Sequence, residues 1–271
     1  MRRKLLIFTV LLVTLLCFSS CSKKSFSIRF IDVGQGDAAL VECNGHYMLI
    51  DGGDKKSGEQ VGKILKEQNI QKLDRLVISH FHDDHTGGLV EALKDIKIGL
   101  TISNSKEDIT GELQHRIQKA DSEIIVPENG EIYYLEDAKI EVIDVGTGRE
   151  NDSLILLVTY GKTTFLFTGD MGSQQVRQIC NRYEDEIWNV SLLKVGHHGA
   201  ENSTSENFLK ILKPQYALIS VGENNKYGHP SSQTLERLEQ ANVKHIYRTD
   251  INGDIIVKSN GKKIEVKCSK K

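Results

Sequence analysis

Short runs in which apolar and polar residues alternate dominate the chain after residue 25. A period of two is typical of strands that bury one face. Residues 27–32 follow this pattern, and the runs 38–42 and 46–51 flank Asn44 and Gly45, a pair that favours a β-hairpin turn. We therefore expect the chain to begin with antiparallel strands.

Further along, helical periodicity alternates with short apolar runs. One predicted helix begins at Val61 and ends near Asn69, and four more cover 112–120, 173–183, 205–212 and 231–240. Predicted strands cover 73–79, 123–126, 139–145, 153–159, 163–168, 190–195, 216–221, 245–247, 254–258 and 263–267. Paired strands come first and strands that alternate with helices follow, and this order of elements occurs twice along the chain. This order predicts an α+β fold in which two sheets pack face to face with helices outside, a four-layer sandwich. We expect one domain over residues 26–271.

The N-terminus carries an export signal. Arg2, Arg3 and Lys4 precede an apolar run over 5–18, which is nearer in length to a signal-peptide core than to the roughly 20 residues that span a bilayer. Small residues then precede Cys21, an arrangement that resembles a bacterial lipoprotein signal. We therefore expect a signal peptide over 1–20, lipidation at Cys21 and a short tether over 21–25, with an uncleaved anchor as the alternative. The protein is then secreted and lipid-anchored on the extracellular face of the plasma membrane.

Charge and cysteine usage narrow the possible partners. Removal of the three positive charges in 1–20 changes the formal net charge from −2 to −5. A mildly acidic domain disfavours a broad basic groove for DNA, because nonspecific nucleic-acid affinity comes from lysine and arginine. The cysteines after Cys21 are Cys43, Cys180 and Cys268, and their wide spacing implies no disulfide framework.

The strongest chemical signal follows the predicted strand 73–79. His80, His82, Asp84 and His85 lie within six positions, just before two glycines. If the strand continues, His80 and His82 project to one side and hold one ion, whereas Asp84 and His85 reach a second. Two ions about 3.5–4 Å apart share a hydroxide suited to attack on a phosphoryl or carbonyl centre.

Seven segments in order carry a resemblance to a known family. They cover residues 30–38, 49–53, 80–88, 151–154, 167–170, 193–199 and 227–230. The chain resembles the metallo-β-lactamase fold superfamily and, within it, the hydrolase domain of ComEC-type competence proteins. The resemblance spans almost all of the chain after the export signal.

The resemblance implies a set of metal ligands. His80 and His82 match the ligands of one ion, Asp84 and His85 match those of the other, and Asp170 matches the residue that bridges them. The family supplies a last histidine after the strand 190–195. His198 fits that position better than His197, which would then face the substrate; the alternative is that one of the pair caps a helix start.

Other residues match catalytic or supporting positions. His229 is expected to act as general acid or oxyanion donor, and Asp84 to orient the hydroxide. Asp51 is expected to order the ligand loop rather than to bind metal. We expect Asp32, Gln35 and Asp37 either to order the ligand loop in the same way or to be ordinary turn residues.

The chain departs from many members of the superfamily at one position. Where these have a third histidine on the first ion, it has Asn151 and Ser153 around Asp152, as the ComEC-type relatives do. The first site is then poorer in nitrogen, so manganese fits as well as zinc. We expect two divalent ions, zinc or manganese.

These expectations combine into a membrane-anchored, metal-dependent hydrolase that cleaves phosphodiesters, with DNA as a substrate, in a monomer or weak dimer. Because the sequence shows no multi-helix channel, we expect a free-standing enzyme rather than a transporter. One alternative is hydrolysis of another cell-surface ester, such as phosphocholine on teichoic acid. A second is a binding lipoprotein that uses its metals only to hold an anionic ligand.

Overall fold

The structure is a computed structural model that describes residues 24–146 and 152–270. Cys21, the predicted signal peptide and most of the predicted tether lie outside the described residues, as does Asn151. The strands of the first sheet are β1 (Phe26–Phe30), β2 (Ala39–Cys43), β3 (His46–Ile50), β4 (Lys72–Ile78), β5 (Lys97–Ser103), β6 (Glu123–Ile125), β14 (Ile255–Ser259) and β15 (Ile264–Cys268). Those of the second are β7 (Ile132–Leu135), β8 (Ala138–Asp144), β9 (Ile155–Tyr160), β10 (Thr163–Phe167), β11 (Leu192–Lys194), β12 (Tyr216–Ile219) and β13 (His245–Arg248).

Both sheets have one antiparallel and one parallel part. The first has the order β15-β14-β1-β2-β3-β4-β5-β6, and its pairing becomes parallel from β3 onward. The second has the order β13-β12-β11-β10-β9-β8-β7, with parallel pairing from β10 to β13. The parallel strands of each sheet therefore end on loops at a common edge, the usual place for a ligand site in such sheets.

Helices cover the outer faces of both sheets. They are α1 (Gly58–Glu67), α2 (Asp83–Thr86), α3 (Leu89–Ala92), α4 (Gly111–Lys119), α5 (Ser173–Arg182), α6 (Glu206–Leu212), α7 (Ser232–Gln240) and α8 (Thr249–Asn252). The apolar faces of α1, α3 and α4 pack on the first sheet, and those of α5, α6 and α7 pack on the second. The predicted four-layer α+β sandwich is confirmed.

A third apolar core lies between the sheets and fixes how they face each other. Phe26 of the first sheet stacks on Tyr160 and Phe165 of the second, with ring centroids 4.8 and 5.1 Å apart. Phe30 stacks on Phe167 at 5.7 Å, close to the edge where the ligand loops begin. The Phe30 contact therefore joins the sheets near the functional edge, and the Phe26 contacts join them toward the opposite edge.

The sequence pattern missed two strands. Gly99 interrupts the apolar run of β5, and exposed Ile132 and Tyr134 make β7 look unlike a buried strand. Both strands form because they pair with neighbours, β5 with β4 and β7 with β8, which a local pattern does not reveal. Across residues 24–146 and 152–270, none of the helices has the length and apolar character needed to cross a bilayer.

The inter-sheet core generates a stability prediction. Phe165 is fully buried in the central strand β10, so Phe165→Ala leaves a cavity and is expected to lower the free energy of unfolding by about 3–5 kcal/mol. Tyr134→Ala, at a ring that is 58% exposed, is the control and is expected to change it by less than about 0.5 kcal/mol. Urea denaturation measures both, and equal effects would contradict the assigned core.

Candidate metal centre

The loop after β4 carries four of the predicted ligands. The predicted strand over 73–79 is β4, which ends at Ile78, so the strand does not continue through His80 and His82, and His82 instead precedes the short helix α2. Asp84 and His85 lie in that helix. The imidazoles of His80 and His82 still lie together, with ring centroids 4.6 Å apart.

Asp170 lies at the middle of the histidine cluster. It follows β10 and Gly169, and its carboxylate is buried. Its oxygens lie 3.2 Å from His85 Nε2, 3.5 Å from His198 Nε2 and 3.8 Å from His80 Nε2. The carboxylate of one sheet therefore meets imidazoles delivered by both.

The side chains form two ligand groups that share Asp170. One contains Asp84, His85, Asp170 and His198, and the other contains His80, His82 and Asp170, with the ligand atoms of each group within 4.8 Å of one another. These are the groupings that the family resemblance predicted. The structure also places Asp37, Asp51 and His85 in a third group.

Atoms without hydrogen-bond partners show that the cluster suits metal ions. In the described parts of the chain, His80 Nε2, His85 Nε2 and Asp170 Oδ1 are buried and have no hydrogen-bond partner of acceptable angle. An unpaired buried polar atom costs roughly 1–3 kcal/mol, so such atoms require another partner. All three are donor atoms of the two ligand groups, and divalent ions satisfy them.

The backbone at His197 and His198 is unusual. Both residues have left-handed conformations, with φ of 48° and 53°. Such strain costs on the order of 1–3 kcal/mol per residue and is typical of functional sites. The result is that two adjacent histidines both face the cluster, His198 buried and His197 half-buried.

The contacts distinguish the two histidines. His198 Nε2 lies 3.1 Å from Asp84, and its Nδ1 donates to the Ser220 carbonyl oxygen at 2.9 Å, which leaves Nε2 for a ligand role. His197 Nε2 lies 3.6 Å from Asp170, and the His197 ring contacts the His229 ring at 5.6 Å between centroids. The geometry thus favours His198 as the ligand and His197 as a residue facing the substrate, as the sequence suggested.

Asp51 and two serines support the ligands. The Asp51 carboxylate accepts a hydrogen bond from His85 Nδ1 at 2.9 Å and two from Ser79, at its backbone nitrogen and its hydroxyl. Ser153 Oγ accepts from the Asp170 backbone nitrogen at 2.9 Å and lies 3.4 Å from His80 Nδ1. Asp51 therefore lies behind His85, as expected of a residue that orders the ligand loop, and Ser153 contacts both Asp170 and His80.

A close backbone approach explains one of the glycines after α2. A Cβ atom at Gly88 would overlap the Gly52 carbonyl oxygen, and the Gly88 nitrogen donates to the Gly53 carbonyl at 2.9 Å. The Gly52 nitrogen in turn donates to the His85 carbonyl at 2.8 Å. The loop after β3 is thus fixed against the helix that carries two ligands.

Lys194 is a buried charge beside the cluster that the sequence did not single out. Its ammonium is buried at the end of β11, where it pairs with Asp37 and donates to the Gly169 carbonyl at 3.3 Å. Asp37 also lies 3.6 Å from His198 Nδ1. Lys194 thus places a positive charge beside the group formed by Asp37, Asp51 and His85. A lysine inside the apolar run 190–195 was the available signal, because buried lysines are rare unless paired.

Two predicted supporting residues lie away from the ligands. Asp32 accepts from Lys270 Nζ at 3.0 Å, and its backbone nitrogen donates to Asp254. Gln35 accepts from the Gly222 nitrogen at 3.2 Å and connects its loop to the loop after β12. The structure therefore does not place either residue against the cluster, whereas it does so for Asp37.

The carboxylates and imidazoles shift one another's pKa. Burial disfavours the charged imidazoles, yet Asp170 outweighs it, raising the pKa of His198 to about 9 and that of His85 well above its ordinary value. Burial would raise the pKa of Asp84, but the hydrogen bond from His198 lowers it to about 2. Burial, assisted by the neighbouring His85, lowers the pKa of His80 to about 2. Before metal binds, His85 and His198 thus carry protons that balance the carboxylates.

A two-sheet sandwich with a carboxylate shared between two histidine-rich groups defines a dinuclear metallohydrolase class. A sequence profile described as the metallo-beta-lactamase superfamily matches residues 31–223. The chain belongs to this superfamily. Membership of this superfamily supports a metal-dependent hydrolase, and the fold implies divalent metal ions, for which the two groups around Asp170 are the candidate ligands.

Two bacterial proteins illustrate the sequence relationship. The chain is 27% identical over 266 residues to ComE operon protein 3 of Bacillus subtilis, covering 89% of this chain and 34% of that protein. It is 29% identical over 224 residues to competence protein ComA of Neisseria gonorrhoeae, covering 82% and 30%. The resemblance to ComEC-type competence proteins is confirmed, and the chain spans about a third of the length of these curated relatives.

A solved structure illustrates the fold. The metallo-beta-lactamase fold protein YhfI from Bacillus subtilis superposes with a TM-score of 0.58 at 13% identity, covering 87% of this chain and 100% of YhfI. At this identity the likeness concerns the fold alone.

The pKa pattern generates a prediction about metal binding. A metal-binding imidazole must be neutral, so loading at pH 7 displaces the protons of His85 and His198, about two per protein. Metal affinity is expected to fall as the pH drops below about 9, because the proton then competes for His198. Calorimetric titration with zinc in buffers of different ionisation enthalpy measures the release; a heat independent of the buffer would contradict it.

The Lys194 pair generates a second prediction. Lys194→Met leaves the Asp37 carboxylate buried without its lysine, a change that typically costs about 3–5 kcal/mol. We expect the lower end of that range, because His85 and His198 lie 3.8 and 3.6 Å from Asp37. The double variant Asp37→Leu/Lys194→Met should recover part of the loss, as measured by urea denaturation. Purely additive losses would exclude the pairing as the cause.

Proposed function

We propose that this protein hydrolyses phosphodiester bonds, with a DNA strand as substrate, at a dinuclear site. His80 and His82 would hold one divalent ion, Asp84, His85 and His198 the other, and Asp170 both. When bound, such ions activate water and offset the negative charge that develops at phosphorus. The mixed set of imidazole and carboxylate donors suits zinc and manganese.

The distribution of exposure around the cluster is the observation that carries this proposal. His80, His85, Asp170 and His198 are buried, whereas His82, Asp84, His197 and His229 are half-buried. The half-buried residues therefore form the solvent-open side of the ligand groups. That side presents a carboxylate and imidazoles, the groups that a hydrolytic reaction requires for proton handling and oxyanion contacts.

Asp84 suits the role of orienting the attacking water. Its pKa of about 2 keeps the carboxylate ionised at neutral pH, because the hydrogen bond from His198 outweighs the effect of burial. An ionised carboxylate only accepts hydrogen bonds, so it fixes the direction of a water O–H. Its side chain is 31% exposed, which leaves room for that water.

His197 and His229 suit contacts to phosphoryl oxygens. Burial lowers the pKa of both imidazoles, so they are neutral at pH 7. A neutral imidazole offers one N–H donor and one acceptor. Of the two roles expected for His229, the lowered pKa favours the oxyanion donor over the general acid.

The export signal and the relatives point to the setting of the reaction. Residues 1–21 resemble a lipoprotein signal, and the sequence relatives include a protein named for competence, the uptake of DNA. We propose that the protein acts on DNA at the outer surface of the cell, held to the membrane by lipid on Cys21.

A second candidate is hydrolysis of phosphocholine esters on teichoic acid. The formal net charge of −5 without residues 1–20 favours a small or choline-bearing substrate over a long polyanion. Both candidates use the same phosphodiester chemistry and differ in what lies beside the scissile phosphate.

The test is cleavage by the purified protein, loaded separately with zinc and manganese. Single- and double-stranded DNA, a phosphocholine-bearing teichoic acid and bis-p-nitrophenyl phosphate are the substrates. We expect DNA cleavage that a chelator abolishes. Asp84→Ala is expected to lower kcat by at least about 100-fold, since it removes both a ligand and a water contact.

Asp83→Ala is the matched control, because Asp83 is the exposed neighbour of Asp84 in the same short helix and lies outside the ligand groups. It should leave kcat within about twofold of the original. Release of phosphocholine without DNA cleavage would favour the second candidate, and failure to cleave any of the diesters would overturn the proposal.

A further inference from the structure

The loop between β12 and α7 presents an aromatic ring at the open side of the metal centre. Tyr227 is 57% exposed, and its ring stacks on His229 with centroids 5.7 Å apart and an interplanar angle of 24°. The proposed reaction assigns no role to this ring. An exposed aromatic side chain beside a site for nucleic acid is a candidate stacking surface.

The loop holds this ring in place. The Asn225 side-chain nitrogen donates to the Gly222 carbonyl at 3.0 Å and to the His229 carbonyl at 2.6 Å. The Asn225 side-chain oxygen accepts from the backbone nitrogens of Tyr227 at 3.2 Å and His229 at 3.0 Å. One amide therefore fixes the backbone on both sides of Tyr227, so the ring is positioned before a ligand arrives.

A continuous series of contacts joins the ring to the ligand groups. His229 lies 5.6 Å from His197 between ring centroids, and His197 Nε2 lies 3.6 Å from the Asp170 carboxylate. The His229 ring therefore connects the Tyr227 ring to the His197 ring. A phosphate at the metal centre would leave an adjacent base close to Tyr227.

Charge plays a smaller part than stacking at this loop. Lys226 Nζ lies 5.1 Å from the centroid of the Tyr227 ring and is free to turn toward a phosphate, because its side chain is exposed. Glu223 in the same loop carries the opposite charge, so the loop has little net attraction for a polyanion. The exposed face of the Tyr227 ring is therefore the feature of this loop that is suited to distinguish single-stranded from double-stranded DNA.

We propose that Tyr227 is a stacking platform for the nucleobase next to the scissile phosphate, and that it selects single-stranded DNA. This inference rests on the proposed phosphodiesterase function. Bases of a duplex are paired and stacked on one another, whereas the bases of a single strand have free faces. Because every base has such a face, the platform prefers single strands without reading their sequence.

The test compares a single-stranded oligonucleotide with an abasic strand of equal length, which keeps the phosphodiesters but lacks the bases. We expect the KM of the metal-loaded protein to be roughly 5- to 150-fold lower for the strand with bases, as expected for one stacked base. Tyr227→Ala should remove most of this difference. Tyr227→Trp should retain the difference.

Tyr134→Ala is the matched control, because Tyr134 is equally exposed, at 58%, but lies on β7, separated from β12 by four strands. It should retain the difference between the two strands. The inference is overturned if the protein cleaves both strands with equal KM, or if Tyr227→Ala still distinguishes them. In either case cleavage itself would leave the proposed phosphodiesterase function standing.

A binding measurement separates the platform from catalysis. Fluorescence anisotropy measures the Kd of the same labelled strands with metal-loaded protein and no turnover. For the original protein, the ratio of the Kd of the abasic strand to that of the strand with bases should equal the ratio of their KM values. For Tyr227→Ala this ratio of Kd values should be near one. Absence of cleavage with the ratio intact would refute the phosphodiesterase function alone. Equal Kd values for both strands would refute the platform.

Discussion

A single buried carboxylate at the junction of the two sheets organises this molecule. Asp170 lies within 3.2 to 3.8 Å of four imidazole nitrogens and is buried, so it cannot be satisfied by water. Burial would raise its pKa, yet the charges of His198 and His85 hold it well below its ordinary value. A buried charge is tolerated only when it is paired or bound to metal. The imidazoles around Asp170 are therefore a requirement of the fold as well as the ligands of the site.

The two sheets supply different halves of this arrangement. The loops after β3 and β4 contribute Asp51 and the run from His80 to His85, whereas the loops after β10 and β11 contribute Asp170, His197 and His198. Neither half holds a complete ligand group for the second ion. The aromatic contacts of Phe26 and Phe30 with the second sheet therefore fix the geometry of the centre as well as the stability of the sandwich.

Further buried charges contact the imidazoles that surround Asp170. Asp51 fixes the side of the His85 ring that faces away from the ligand cluster, and Lys194 pairs with Asp37 beside His198. These groups are buried, so their mutual attraction is stronger than it would be in water. The open side presents the neutral imidazoles of His197 and His229, the ionised carboxylate of Asp84 and the Tyr227 ring. The centre thus combines a rigid charged interior with a face suited to an anionic ligand and an adjoining base.

Local patterns were sufficient for most of the strands and helices and for the run of candidate ligands from His80 to His85, whereas Asp170 and His198 were expected only from the family resemblance. Alternation and helical periodicity depend on which side of one element is buried, and the run from His80 to His85 keeps its donors close in the chain. The same patterns missed β5 and β7, because strand formation depends on partners distant in sequence.

Tertiary structure decided the remainder. It separated His198 from His197, placed Asp37 but not Asp32 beside the cluster, and gave Lys194 its role. Each of these outcomes is set by contacts between residues far apart in the chain, and no local spacing encodes such contacts. The residue types that make metal chemistry possible are therefore legible in the sequence, whereas the partner of each charge is determined only when the two sheets pack together.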